Sequence, residues 1–306
     1  STGRQRHHSL SELTIRLFDA SIIGILMLAP LFMGGRGPVG KLVLLALVSL
    51  ASLAWSAHLW SANRPIWRWT GVELLLAGGM MLVALQVCPL PPGILLRLSP
   101  YLPDVLPLWQ AQTDSSIQFG NWSTLSLAPE ATRAGLVIYL TYASLFLLTA
   151  QRIQTQQDIE RLLRWVALAV LTMASLGLMQ LLFSNGKFLW VYEHPFRDTH
   201  GVVRGSFQNQ NHFAHFLALG VGPLIWLIWK SHAGHVERGP QLGRHGGNQF
   251  NLSQGQHSTR VVLPVGAGLV AFGGLLTFSR GGVVAMGLAV AVCIGLYYWR
   301  GLLGKR

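Results

Sequence analysis

Apolar residues along this chain fall in long unbroken runs, separated by short polar stretches. Eight runs stand out, at about 17–33, 42–60, 71–90, 134–150, 166–183, 213–229, 261–278 and 283–299. A helix needs about 20 mostly apolar residues to cross a bilayer. Each run meets or approaches that length, so the pattern predicts an all-α, polytopic transmembrane bundle of about eight spans. The first run is short and carries Asp19. One longer polar interval, 91–133, opens with the proline-broken apolar stretch 89–100. Proline removes a backbone donor and interrupts helices, so this stretch is expected to lie in the interface rather than to span.

Composition narrows the class. The chain of 306 residues is 51% hydrophobic and 11% charged, with a mean hydropathy of +0.43. Soluble domains carry about 25% charged residues. The two cysteines, Cys88 and Cys293, both lie in apolar runs, which gives neither a disulfide framework nor a metal cluster. The formal charge of +12 fits basic membrane loops, and no nucleic-acid partner is called for.

Charge also sets the expected orientation. With the N-terminus inside and the loops alternating, 15 of the 23 Lys and Arg fall inside and 8 outside, none within a span. Cytoplasmic loops hold the excess of Lys and Arg, so both termini are expected in the cytoplasm. Residues 1–16 read as a cytoplasmic tail, with His7 and His8 as solvated residues. Residues 17–150 read as N-terminal spans with the outer loop 91–133, and 151–306 as the core. The inner loop 230–260, rich in Gly, His, Gln and Asn, reads as a solvated linker. Asp19 and Glu73 lie near inner ends of spans. Either reaches water or a partner there, or serves a function inside the membrane.

The candidate chemistry lies in two outer stretches. One is Arg204-Gly205-Ser206-Phe207-Gln208-Asn209-Gln210-Asn211-His212-Phe213-Ala214, which runs directly into an apolar helix. The other is Thr277-Phe278-Ser279-Arg280-Gly281-Gly282. Asn is a favoured N-cap, so a helix is expected to begin at Asn209–Asn211, and another at Ser279 or Gly281. Helix N-termini present free N–H groups and partial positive charge. Arginine adds a planar fork matched to phosphate oxygens. Two arginines and two helix starts on one face suit a diphosphate. The same features also suit arginines resting at the level of lipid headgroups.

These two stretches, in this order and separated by one inner loop, resemble the signatures of the O-antigen ligase-like membrane proteins. That family includes O-antigen ligases, polysaccharide polymerases and protein O-oligosaccharyltransferases. The resemblance covers about 134–306. It implies a bacterial inner-membrane glycosyltransferase whose active face is periplasmic. The donor would be a glycan carried on a polyprenyl diphosphate, the acceptor a hydroxyl of a lipid, protein or glycan, and no metal or other cofactor would be needed. Arg204 and Arg280 would be catalytic, holding the diphosphate and stabilising the charge that grows on it. Asn209, Asn211, His212, Ser279 and Gly281 would line the substrate site. His215, one turn from His212, reads first as a polar residue lining the bundle. In the family a later outer loop carries a histidine that activates the acceptor, and no such loop precedes Arg306. The chain is therefore expected to be an N-terminal fragment, with His194 and His200 the outer-loop histidines nearest to such a role. Two other readings remain: a transporter of an anion or a lipid-linked substrate, with Asp19 and Glu73 for coupling, and an inactive scaffold of a polysaccharide-assembly complex.

Overall fold

The computed structural model describes the backbone of residues 2–62, 67–106, 122–233 and 249–301, and side chains within 10–61, 67–102, 104–106, 122–232 and 261–301. His7, His8, Arg64, His235, His245 and His257 lie outside the described side chains. All the regular structure among the described residues is helical. The helices are α1 (Thr2–Leu31), α2 (Pro38–Ala62), α3 (Val72–Val87), α4 (Pro92–Leu98), α5 (Leu102–Val105), α6 (Pro129–Arg152), α7 (Gln156–Leu182), α8 (Gln210–Leu219), α9 (Val221–Ala233), α10 (Gln249–Leu275) and α11 (Arg280–Trp299).

Among the described residues, six segments are long and apolar enough to cross a membrane: Leu10–Leu31, Pro38–Ser61, Pro129–Arg152, Gln156–Leu182, Gln210–His232 and Arg280–Trp299. Val72–Val87 and Val261–Leu275 are shorter apolar helices. Each of the eight expected runs is thus helical, and the protein is a polytopic helical membrane bundle.

Two details add to the sequence reading. Helix α1 already begins at Thr2, so the stretch 1–16 is helical and continuous with the span Leu10–Leu31. Nothing between Arg4 and Arg16 breaks a helix, and Glu12 pairs with Arg16 one turn on, at 3.8 Å. The run 213–229 is also not one straight helix. It divides at Gly220 into α8 and α9. Pro223 has no N–H to donate to the carbonyl four residues back and crowds it, so the ladder is interrupted there.

The chain packs as two compact units, Ser1–Phe18 with Val48–Arg152 and Asp19–Leu47 with Ile153–Arg306. In the first unit, Phe18 stacks against Trp55 with ring centroids 5.5 Å apart. Helix α3 packs on α6, where the Tyr139 hydroxyl donates to the Leu76 carbonyl at 2.8 Å. Gln151 is buried. It exchanges two hydrogen bonds with the Arg68 backbone, accepting from N at 2.9 Å and donating to O at 2.8 Å. Between α3 and α6, the short helices α4 and α5 bury Leu95 and Leu102, with Trp122 packed against them.

The second unit holds the larger core. Met173, Val203, Phe213, Leu217 and Val270 are all buried in it, drawn from α7, the following loop, α8 and α10. Helix α7 starts with a reciprocal cap. Thr155 Oγ1 accepts from the Asp158 N–H at 3.2 Å, and Asp158 Oδ2 accepts from the Thr155 N–H at 3.0 Å. Each satisfies a donor that the helix itself leaves unpaired. Thr155→Ala is expected to cost about 1 kcal/mol. Thermal unfolding of the purified variant checks this, and an unchanged midpoint would show that the cap contributes nothing.

Candidate functional site

Both signature stretches fold to the same end of the second unit. The Val203 N–H donates to the Leu276 carbonyl at 3.1 Å, which ties the loop before α8 to the end of α10. Helix α11 packs on α8 so closely that a Cβ on Gly282 would overlap the Cβ of Ala214. Glycine at that position lets the two helix starts lie side by side.

The first stretch is built from below. Gly205 holds φ +55°, and a Cβ there would meet Phe213 Cε2 at 2.9 Å. Ser206 is buried and donates to the Pro30 carbonyl at 2.6 Å, one of the unpaired carbonyls at the end of α1. Phe207 stacks on Phe213 at 5.4 Å and lies against Gly34. These contacts fix the backbone on both sides of Arg204. Asn209 then caps α8, its Oδ1 accepting from the Asn211 N–H at 2.9 Å. The expected helix start is thus where the capping chemistry places it, and the Asn209 carbonyl oxygen is already committed to the backbone.

Arg204 is half-buried. One terminal nitrogen donates to the Asp198 carbonyl at 3.1 Å. Its Nε is buried with no partner among the described residues. Burial pulls this guanidinium below the usual arginine range, the neighbouring positive charge of Arg197 pulls it further, and Asp198 opposes them. Arg197 is exposed and donates to the Gln208 carbonyl at 2.6 Å. Arg197, Arg204 and the α8 start Asn209–Gln210–Asn211, with Phe196 and Asp198, line an open polar cavity of about 470 Å³. A second cavity of about 450 Å³ shares Phe196, Arg197 and Asp198 with it and also includes Lys187, Glu193, His194 and His200. His194 Nδ1 accepts from the Phe196 N–H at 3.2 Å, which leaves only its Nε2 free to face a ligand.

The second stretch forms a tight buried turn. Thr277 Oγ1 donates to the Gly274 carbonyl at 2.6 Å and accepts from the Ser279 N–H at 3.2 Å. Phe278 takes a left-handed φ of +51°. Ser279 is the N-cap of α11, its buried hydroxyl accepting from the Gly282 N–H at 3.0 Å. That hydroxyl is committed to the cap. Arg280 is exposed and does not line the Arg204 cavity. Gly281 faces His215, whose Nε2 lies 3.7 Å from where a Cβ would stand. His212 and His215 are both exposed.

The stretches that carry Arg204 and Arg280 lie at the same end of this unit, as expected, but Arg280 is not among the residues that line the Arg204 cavity. Arg204 shares its cavity with Arg197, and Arg280 begins a neighbouring helix beside His215. The sequence did hold a signal for Arg197, since six of the seven charged or histidine residues of the loop 184–210 cluster between Glu193 and Arg204. The acids have local partners. Asp19 meets Arg161 at 3.2 Å. Glu73 accepts from the Thr70 N–H at 3.1 Å and the Thr70 hydroxyl at 2.9 Å, closing the first turn of α3.

No family model, curated protein or solved structure matches this chain.

Proposed function

We propose that this protein is a membrane glycosyltransferase of the O-antigen ligase and polymerase type. It takes a glycan from a polyprenyl diphosphate donor to an acceptor hydroxyl on the periplasmic face of a bacterial inner membrane. The observation that carries the reading is the convergence of Arg197, Arg204 and the N-terminus of α8 on one open polar cavity, at the end where α11 also begins.

The chemistry asks for this arrangement. The acceptor oxygen forms a bond to the anomeric carbon as the bond from that carbon to the diphosphate oxygen breaks. The bonding pair leaves with the polyprenyl diphosphate, and the hydroxyl proton passes to a base. Negative charge therefore grows on the diphosphate during the step. Fixed donors aimed at that charge stabilise the transition state without reorganising. Arg204 and Arg197 offer two guanidinium forks, and the first turn of α8 adds free N–H groups. Arg280, at the start of α11, serves the same diphosphate when the donor lies across both helix starts. The lipid tail also has a place. An apolar cavity of about 530 Å³ lies between α9, α10 and α11, lined by residues such as Leu224, Ala271 and Met286.

The test is glycan transfer from a polyprenyl diphosphate donor by the membrane-embedded protein, with Arg204→Ala and Arg280→Ala alongside it. Loss of transfer with either arginine removed supports the reading. Normal turnover in both variants would overturn it.

A further inference from the structure

Helix α7 sets the depth of whatever is tied to its end. Its apolar part, 165–182, is 18 residues long, or roughly 27 Å at the helical rise. The hydrocarbon core of a bilayer is about 30 Å thick. Leu182 and Phe183 therefore stand at the edge of the hydrocarbon, and both are exposed, at 74% and 68%.

The following loop does not leave this level. Gln180 Nε2 donates to the Lys187 carbonyl at 3.0 Å. Trp190 Nε1 donates to the Phe183 carbonyl at 2.8 Å. Phe188 is fully buried, and its N–H donates to the Tyr192 carbonyl at 2.7 Å. Leu189 and Trp190 both hold positive φ, 48° and 62°, which non-glycine residues adopt only where surrounding contacts impose it. The loop is thus pinned in one shape against the last turns of α7.

What this shape holds outward is apolar. Val191 is 83% exposed, Phe196 89% and Tyr192 46%. His194 lies among Phe188, Tyr192 and Phe196, at centroid distances of 6.0, 6.3 and 6.3 Å. Within the same loop the Glu193 side chain is 77% exposed, and it pairs with Lys187 at 3.3 Å, so the two charges offset each other. In water this surface would expose contiguous apolar area for no gain. At the membrane–water boundary, aromatic rings gain from having one side apolar and the other wet. Continuity with the exposed end of a spanning helix decides the occupant. We propose that the loop 188–196 is seated in the interfacial layer of the bilayer, with Val191, Tyr192 and Phe196 against lipid. Phe196 also lines the Arg197–Arg204 cavity, so the anchor holds the mouth of that cavity at headgroup depth, open to lipid-borne anions.

This proposal stands without the glycosyltransferase reading, and its test uses no substrate. Cys88 and Cys293 are replaced by alanine, and a spin label is placed through Val191→Cys or Phe196→Cys. Both positions are mostly exposed, so labelling removes no core packing. The full chain is reconstituted in phosphatidylethanolamine–phosphatidylglycerol vesicles. Collision with oxygen, which concentrates in lipid, is compared with collision with a water-soluble nickel chelate. The expected result is oxygen-rich, nickel-poor labels at both positions, close to a reference label at Leu182→Cys. Nickel collision at the level of a label free in buffer would overturn the proposal. Shielding from both reagents would overturn it as well, because it would mean that protein, rather than lipid, covers the loop.

Discussion

Phe213→Ala is expected to destabilise the second unit by about 3–5 kcal/mol, the usual cost of emptying a buried phenylalanine site. Phe213 is fully buried, and its ring fills the space between α7, α8 and the loop that carries Arg204. Cβ atoms built on Gly177 and Gly205 would each come within 2.9 Å of this ring, so both glycines are small to make room for it. Phe207 packs against it at a tilt of 54°. The loss should therefore reach the site as well as the stability, because the Gly205 turn that positions Arg204 rests on the ring. Thermal unfolding of the purified protein checks the first effect, and binding of a polyprenyl diphosphate checks the second. Phe213→Leu keeps most of the volume and should lose less than half as much. A Phe213→Ala midpoint equal to wild type would show that this packing does not hold the unit together.

The second large effect is on binding of the proposed diphosphate donor. Arg204→Ala is expected to weaken diphosphate binding by about 10- to 100-fold, the equivalent of one or two charge-assisted hydrogen bonds. Turnover should fall further, by about 10²- to 10³-fold, if the same group meets charge that grows in the transition state. The buried Nε of Arg204, without a partner among the described residues, is the physical reason to expect so much from one side chain. A donor left without a partner costs free energy, and an anion arriving in the cavity removes that cost. Arg204→Lys should recover only part of the loss, since an ammonium cannot bond two oxygens with one planar fork. The pH dependence has a definite sign. The Arg204 guanidinium is lowered by burial and by Arg197, and a lowered cation gives up its charge only as pH rises. Its contribution is then fully present at acid and neutral pH and is lost only on the strongly alkaline side. Titration calorimetry or native mass spectrometry with the lipid probe reads the affinity. An Arg204→Ala affinity within twofold of wild type would remove this residue from the site.

The sequence by itself determined the spans and the helix starts. An apolar run can meet the bilayer's demand only as a helix whose backbone bonds to itself, so the helical character of all eight runs was visible before any contact was known. The caps were visible too, because Asn209 and Ser279 bond to N–H groups two and three residues away, a purely local matter. Local chemistry also carried the break at Gly220, in Pro223, but an unbroken apolar run hid it. Tertiary structure decided which groups share a cavity. Arg197 and Arg204 meet across a loop with no periodic signal, their positions set by carbonyls of Gln208 and Asp198. The start of α11 sits against α8 through the Gly282–Ala214 contact, which places Gly281 beside His215 and leaves Arg280 outside the cavity of Arg204. Span formation is a property of each run in its solvent, whereas the site depends on how separate runs pack, and packing at the closeness of a missing Cβ cannot be read along one dimension.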